Sequence, residues 1–176
     1  AGPAGVAAAL AAARTGAATR LIEVNGCLGG VWTAGLLSWI LDTSNKTGMM
    51  QEMLARLEQR GASQVFGGSV GYDVEEMKIL LEEMCLEAGV RIRLHTRVCQ
   101  AVRSDAGRLE AVVTESKSGR EAFRAKAFVD ASGDGDLAAQ AGCGFDYGHP
   151  ETSQAQPMSF ICLLSGLDPV AMTPFV

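Results

Sequence analysis

Gly2 and Gly5 stand three positions apart, immediately before an alanine-rich run, in the opening stretch Ala1-Gly2-Pro3-Ala4-Gly5. This is the spacing of the last two glycines of a GxGxxG turn. In that turn the second glycine lets backbone approach a pyrophosphate, and the third lets the helix pack closely on its sheet. The helix N-terminus then offers free N–H groups and the positive end of its dipole to the phosphates. Glu23 follows Gly2 by 21 positions, at the end of a short apolar run. A carboxylate placed there accepts hydrogen bonds from a ribose hydroxyl pair and repels a 2′-phosphate, which disfavours an NADP-like adenosine. The first glycine of the fingerprint and the strand before it are missing from the sequence. The plain alternative is a helix-packing glycine pair and an unrelated surface glutamate.

A second concentration of small and acidic residues is Asp130-Ala131-Ser132-Gly133-Asp134-Gly135-Asp136, after the apolar run Ala127-Phe128-Val129. Small residues after a buried strand let backbone approach a ligand. A calcium loop is disfavoured, because Gly135 follows Asp134 too early and no acid stands at the twelfth position. No metal site is expected. The histidines are His95, read as an ordinary half-buried residue in a strand, and His149, in a Gly-Pro loop. They suggest no Ser/His/Asp triad. The five cysteines, Cys27, Cys85, Cys99, Cys143 and Cys162, are scattered and contain no CxxC. They read as reduced thiols in a cytoplasmic protein. No side chain is nominated as acid, base or nucleophile.

These residues need a frame to hold them. The 176-residue chain is 48% apolar and 20% charged, enough for one well-packed domain. Its net charge of -5 and lack of a basic tract argue against a nucleic-acid partner. No apolar stretch approaches the roughly 18 residues of a membrane span. The chain starts at Ala1 rather than Met, so a fragment or processed chain is expected.

Residues 4–15 predict a helix stopped by Gly16, and residues 19–24 a short buried strand. A helix is predicted over 49–60, closed by Gly61. Another is predicted over 73–88, where Val74, Met77, Leu81, Met84 and Ala88 repeat at helical spacing, with Asp73 as N-cap and Gly89 as stop. From Val90 the period changes to two, and turns at 105–107 and 117–119 predict a β-meander. Residues 127–129 and 158–164 read as further strands. Trp32 and Trp39 read as core, and Arg91, Arg93 and Arg97 as a solvated strand face.

Several of these motifs, taken in order, resemble the FAD-dependent oxidoreductases of the glutathione-reductase-like fold, in particular the heterodisulfide-reductase-A-like group. The matching stretches are AGPAGVAAALAAARTG, LIEVNGCLGGVWTAGL, the Tyr72-Asp73-Val74 helix start, GVRIRLHTRV and FVDASGDGDLAAQAG, with QPMSF continuing the likeness. The resemblance implies that Gly2, Pro3, Ala4 and Gly5 cradle the FAD pyrophosphate and that Glu23 holds the adenosine ribose. It places Gly29, Gly30 and Thr33 on the flavin side and the backbone of Val98 at the adenine. It also implies that Ala131, Ser132, Gly133 and Asp134 return the chain to the cofactor. The cysteine pair of the disulfide-reductase branch is missing from the stretch after Gly30, so a dithiol mechanism is not expected, and Cys27 reads as a packed small hydrophobe. Clustered cysteines for an iron–sulfur site are missing too.

The expected fold is therefore α/β. An FAD/NAD(P)-binding Rossmann-like domain with a β-meander spans residues 1–148, truncated at both ends of the chain, with a helical insertion at about 48–88. Residues 149–176 would begin a substrate or cap domain. The implied function is hydride or electron transfer through FAD to a small-molecule substrate or electron partner, with this fragment alone inactive. Two rivals share the glycine and acid signals: an NAD-binding Rossmann dehydrogenase, and a non-catalytic flavoprotein or electron-relay subunit.

Overall fold

The structure is a computed structural model that describes residues 1–175. Its first helix, α1 (Pro3–Arg14), begins with a proline whose missing N–H costs nothing at that position, and it propagates through alanine. Gly16, at φ 90, turns the chain back into β1 (Arg20–Ile22). There β1 pairs in parallel with β5 (Arg91–Arg93), with Leu21 opposite Ile92. A parallel pair needs a long crossover, and the residues between supply one.

That crossover carries more than helices. It holds β2 (Trp39–Ile40), α2 (Met49–Gln59), β3 (Ser63–Phe66), β4 (Ser69–Tyr72) and α3 (Val74–Glu87). The three strands form an antiparallel sheet in the order β2-β4-β3, which the sequence reading did not anticipate. Gly67, at φ 59, makes the tight β3–β4 turn. On the outer face of this sheet Trp39 and Phe66 stack with ring centroids 4.9 Å apart, over Gly71. Trp39 is therefore a partly exposed surface ring, whereas Trp32 packs against the core.

The carboxylate of Asp73 accepts the N–H groups of Glu75 (2.8 Å) and Glu76 (3.1 Å), capping α3 as its sequence position predicts. The buried face of α3 is Met77, Leu80, Leu81, Met84 and Cys85, wider than the predicted stripe because α1 and α2 both pack on it. These side chains join Val6, Leu10, Leu21, Leu28, Met53 and Leu57 in one core. Each fully buried leucine contributes about 1.5–3 kcal/mol. Outside the core, Arg14 and Arg56 share Glu52, and Arg60 meets Glu76 and Glu83. Such exposed pairs fix helix orientation more than they stabilise.

The meander is β6 (Thr96–Arg103), β7 (Leu109–Ser116) and β8 (Gly119–Arg124), antiparallel in that order. Arg20 lays its guanidinium 4.4 Å from the centre of the Phe123 ring, tying β1 to β8. Two predicted strands do not form. Residues 127–129 and 158–164 take part in no strand pairing among the described residues; Val129 is 72% exposed and Met158 99%. An apolar run becomes a strand only when a neighbouring backbone takes its N–H and C=O groups, and among the described residues neither segment has such a partner. Short helices α4 (Asp136–Gln140) and α5 (Pro169–Met172) complete the chain.

Candidate cofactor site

The site is built where three glycine-bearing segments converge. Gly2 is the N-cap of α1 and supplies no side-chain cap, leaving the first N–H groups of the helix unclaimed by any side chain. The N–H of Gly29 donates to the carbonyl of Ala1 at 3.0 Å and draws the glycine pair onto that helix end. Gly29 (φ 106) and Gly30 (φ 52) both adopt left-handed backbone. A Cβ on Gly30 would lie 2.8 Å from the Cα of Gly2. One on Gly5 would come within 3.2 Å of the Ala131 Cβ, so the third segment also rests on α1.

Glu23 follows β1 and is 4% exposed. Its carboxylate accepts the N–H of Asn25 at 2.7 Å and lies 2.6 Å from the Ala1 backbone nitrogen, beside the start of α1. Beside it, the N–H of Thr96 donates to the Glu23 carbonyl at 2.9 Å. This puts the start of β6 beside the Glu23 backbone, with half-buried Val98 two residues further along that strand.

The loop 130–136 is organised by its own side chains. Asp130 accepts N–H groups from Ser132 (2.9 Å) and Ala138 (2.8 Å), while the Ser132 hydroxyl oxygen accepts the N–H of Asp136 at 3.0 Å. Burial pushes the Asp130 carboxyl up, but the backbone N–H groups of Ser132 and Ala138 outweigh it and hold the carboxyl below its ordinary value. Ser132, Gly133 and Asp134 are exposed, and Gly133 has φ 98.

Thr33 is fully buried, and its hydroxyl donates to the carbonyl of Leu28 at 2.5 Å. Cys27 is half-buried, its Sγ 3.8 Å from the Thr33 hydroxyl oxygen. One neighbour of the glycine-pair turn was not legible in the spacing. The Tyr72 hydroxyl lies 2.6 Å from the Leu37 carbonyl and 2.9 Å from that of Trp32, bracketing the turn after the glycine pair. Burial raises the Tyr72 pKa, so the phenol stays protonated and donates. His149 lies exposed in its loop, with Nδ1 accepting the N–H of Glu151 at 3.2 Å.

A helix end without a side-chain cap, backbone approaches with no room for a Cβ, and a buried acid at the end of a parallel strand define a dinucleotide-binding α/β protein of the Rossmann-like class. The chain belongs to the FAD dependent oxidoreductase family, whose model matches residues 1–174, and its cofactor is FAD. Among solved structures it is similar to THI4 of Thermovibrio ammonificans, with 18% identity and a TM-score of 0.58 over 79% of this chain and 57% of that one. It is also similar to the myxobacterial chondrochloren halogenase CndH, described as a new variant of FAD-dependent halogenases. That match has 17% identity and a TM-score of 0.51 over 70% of this chain and 33% of the halogenase. The chain thus spans little more than half the length of the first relative and a third of the second. No curated protein sequence matches. The residues present fit FAD: the N-terminus of α1 carries no side-chain cap, and Glu23 is a buried acceptor at the end of a parallel strand. No helix among the described residues is long and apolar enough to cross a membrane.

Proposed function

We propose that this chain is the FAD-binding portion of an oxidoreductase that passes hydride or electrons to a small-molecule substrate. The observation that carries the reading is the meeting of Gly2 and Gly5, Gly29 and Gly30, and the Asp130–Asp134 loop at one end of α1, with Glu23 close by. Gly2, Pro3, Ala4 and Gly5 would receive the pyrophosphate on their backbone N–H groups, Pro3 excepted because it has none. Glu23 would accept the ribose hydroxyls, and the Val98 backbone would meet the adenine. Gly29 and Gly30 would bring bare backbone to the flavin side, with Thr33 holding their loop through Leu28. Ala131, Ser132, Gly133 and Asp134 would close the site from the far strand end.

Bound FAD supplies the hydride or one-electron chemistry, and the protein supplies orientation and electrostatics. Residues 1–148 would form the cofactor domain, and residues 149–176 would lead into a substrate domain. The test is the flavin content of the purified full-length protein. We expect a yellow protein, and a Gly5→Val variant without flavin, because the larger side chain drives α1 off Ala131 and Leu21. Unchanged flavin in that variant, with a native circular dichroism spectrum, would overturn the assignment.

A further inference from the structure

His95 stands in a stretch whose sequence predicts a strand, but it lies outside both neighbouring strands. It sits between β5 and β6, exposed, with φ 50. Left-handed backbone is uncommon outside glycine, histidine being one of the residues that enter it more readily, and it persists where the surroundings hold it. Here they do. The His95 N–H donates to the Asn25 carbonyl at 3.1 Å, and the next N–H, of Thr96, turns back to the Glu23 carbonyl at 2.9 Å. The two bonds bracket Glu23 and Asn25, so the kink at His95 is tied to the segment that carries the ribose-binding acid.

The imidazole has its own seat. A Cβ on Gly26 would lie 2.7 Å from the His95 Cε1 and 3.0 Å from Nε2, so the ring lies against bare Gly26 backbone. Its side chain makes no hydrogen bond or ion pair within the protein among the described residues. An exposed polar ring thus lies against Gly26 with its hydrogen-bonding capacity unused. It lies at the carboxyl end of β5, beside the carboxyl end of β1, and these strands are parallel. Ligands of open α/β sheets bind outside the carboxyl ends of parallel strands.

We propose that His95 is a binding residue for the adenosine half of the cofactor, seated by Gly26, and that it favours the dinucleotide over a flavin mononucleotide. This rests on the reading of Glu23 as the ribose acceptor. An imidazole can donate to or accept from a ribose hydroxyl and can lie against a purine face, so it suits an adenosine and adds nothing for a ligand that lacks one.

The experiment titrates full-length apoprotein with FAD and, separately, with FMN, following quenching of flavin fluorescence. His95→Gly removes the ring while permitting the same backbone. We expect its FAD dissociation constant to rise fivefold or more, with FMN unchanged within twofold. Gly26→Ala, which displaces the ring without deleting it, should reproduce that pattern, and the double variant should be no worse than His95→Gly. An equal loss for FAD and FMN would make His95 a structural residue and overturn the proposal, as would no loss for either. Glu23→Ala separates the two levels. If it weakens FAD alone while His95→Gly changes nothing, only the His95 inference fails. If it leaves FAD binding intact, the adenosine placement fails and takes the inference with it.

Discussion

Gly2 and Gly30 touch through bare backbone: 28 positions apart in sequence, they sit so close that a Cβ on Gly30 would stand 2.8 Å from the Gly2 Cα. The contact couples the end of α1 to the loop after β1, so a change at either glycine is felt by both segments. Gly30 is also left-handed, and so is Gly61, which has φ 65 and nothing within 4 Å of a Cβ. Gly61→Ala therefore reports backbone strain alone. We expect it to lower stability by about 1 kcal/mol and to leave FAD affinity unchanged. Gly30→Ala adds the clash, and we expect about 2–4 kcal/mol in urea unfolding and at least a tenfold weaker FAD. Equal behaviour of the two variants would show that the Gly2 contact has no consequence.

Tyr72 holds the turn after the glycine pair from outside. Its hydroxyl carries one proton for two carbonyls, those of Leu37 and Trp32. In Tyr72→Phe neither carbonyl receives that donor, and the expected loss is about 1–3 kcal/mol of stability. Because the loop belongs to the proposed flavin side, FAD and FMN affinities should fall together, in contrast to the His95 variants. A stability loss with both affinities unchanged would separate the turn from the cofactor.

Asp130 gives a pH signature. Its folded pKa lies below the ordinary 3.8, so its contribution is present above that value and disappears as pH falls through the lower, folded pKa. Asp130→Ala should cost about 1 kcal/mol near neutral pH, where the carboxylate accepts the Ser132 and Ala138 N–H groups. The gap between variant and wild type in thermal unfolding should narrow steadily below pH 3.8. A gap independent of pH would assign the cost to packing.

Cys27 lies beside the Thr33 hydroxyl, next to the glycine pair. A packing role predicts that Cys27→Ser keeps reduction of the bound flavin by its donor within about threefold of wild type, under 1 kcal/mol of barrier. Stopped-flow reduction that slows a hundredfold at equal flavin content would give the thiol a redox part.

The local pieces of this protein were legible in its sequence because their causes are local. An alanine run makes α1, the Asp73 carboxylate starts α3, Gly16 and Gly89 stop their helices, and a change of period marks the meander. The proposed cofactor residues were singled out for a related reason: a glycine spacing and an acid at a strand end encode a requirement of backbone geometry. What sequence alone could not decide is everything that depends on a distant partner. Residues 127–129 are as apolar as a strand, yet among the described residues no edge pairs with them, while the short segments of β2, β3 and β4 become a sheet because each finds a neighbour. Likewise the closeness of Gly30 to Gly2, the reach of Tyr72 to the turn and the seat of His95 on Gly26 exist only once the chain has folded back on itself. Hydrogen bonds and close contacts act over a few ångströms, and only the tertiary structure brings residues so far apart in the chain within that range.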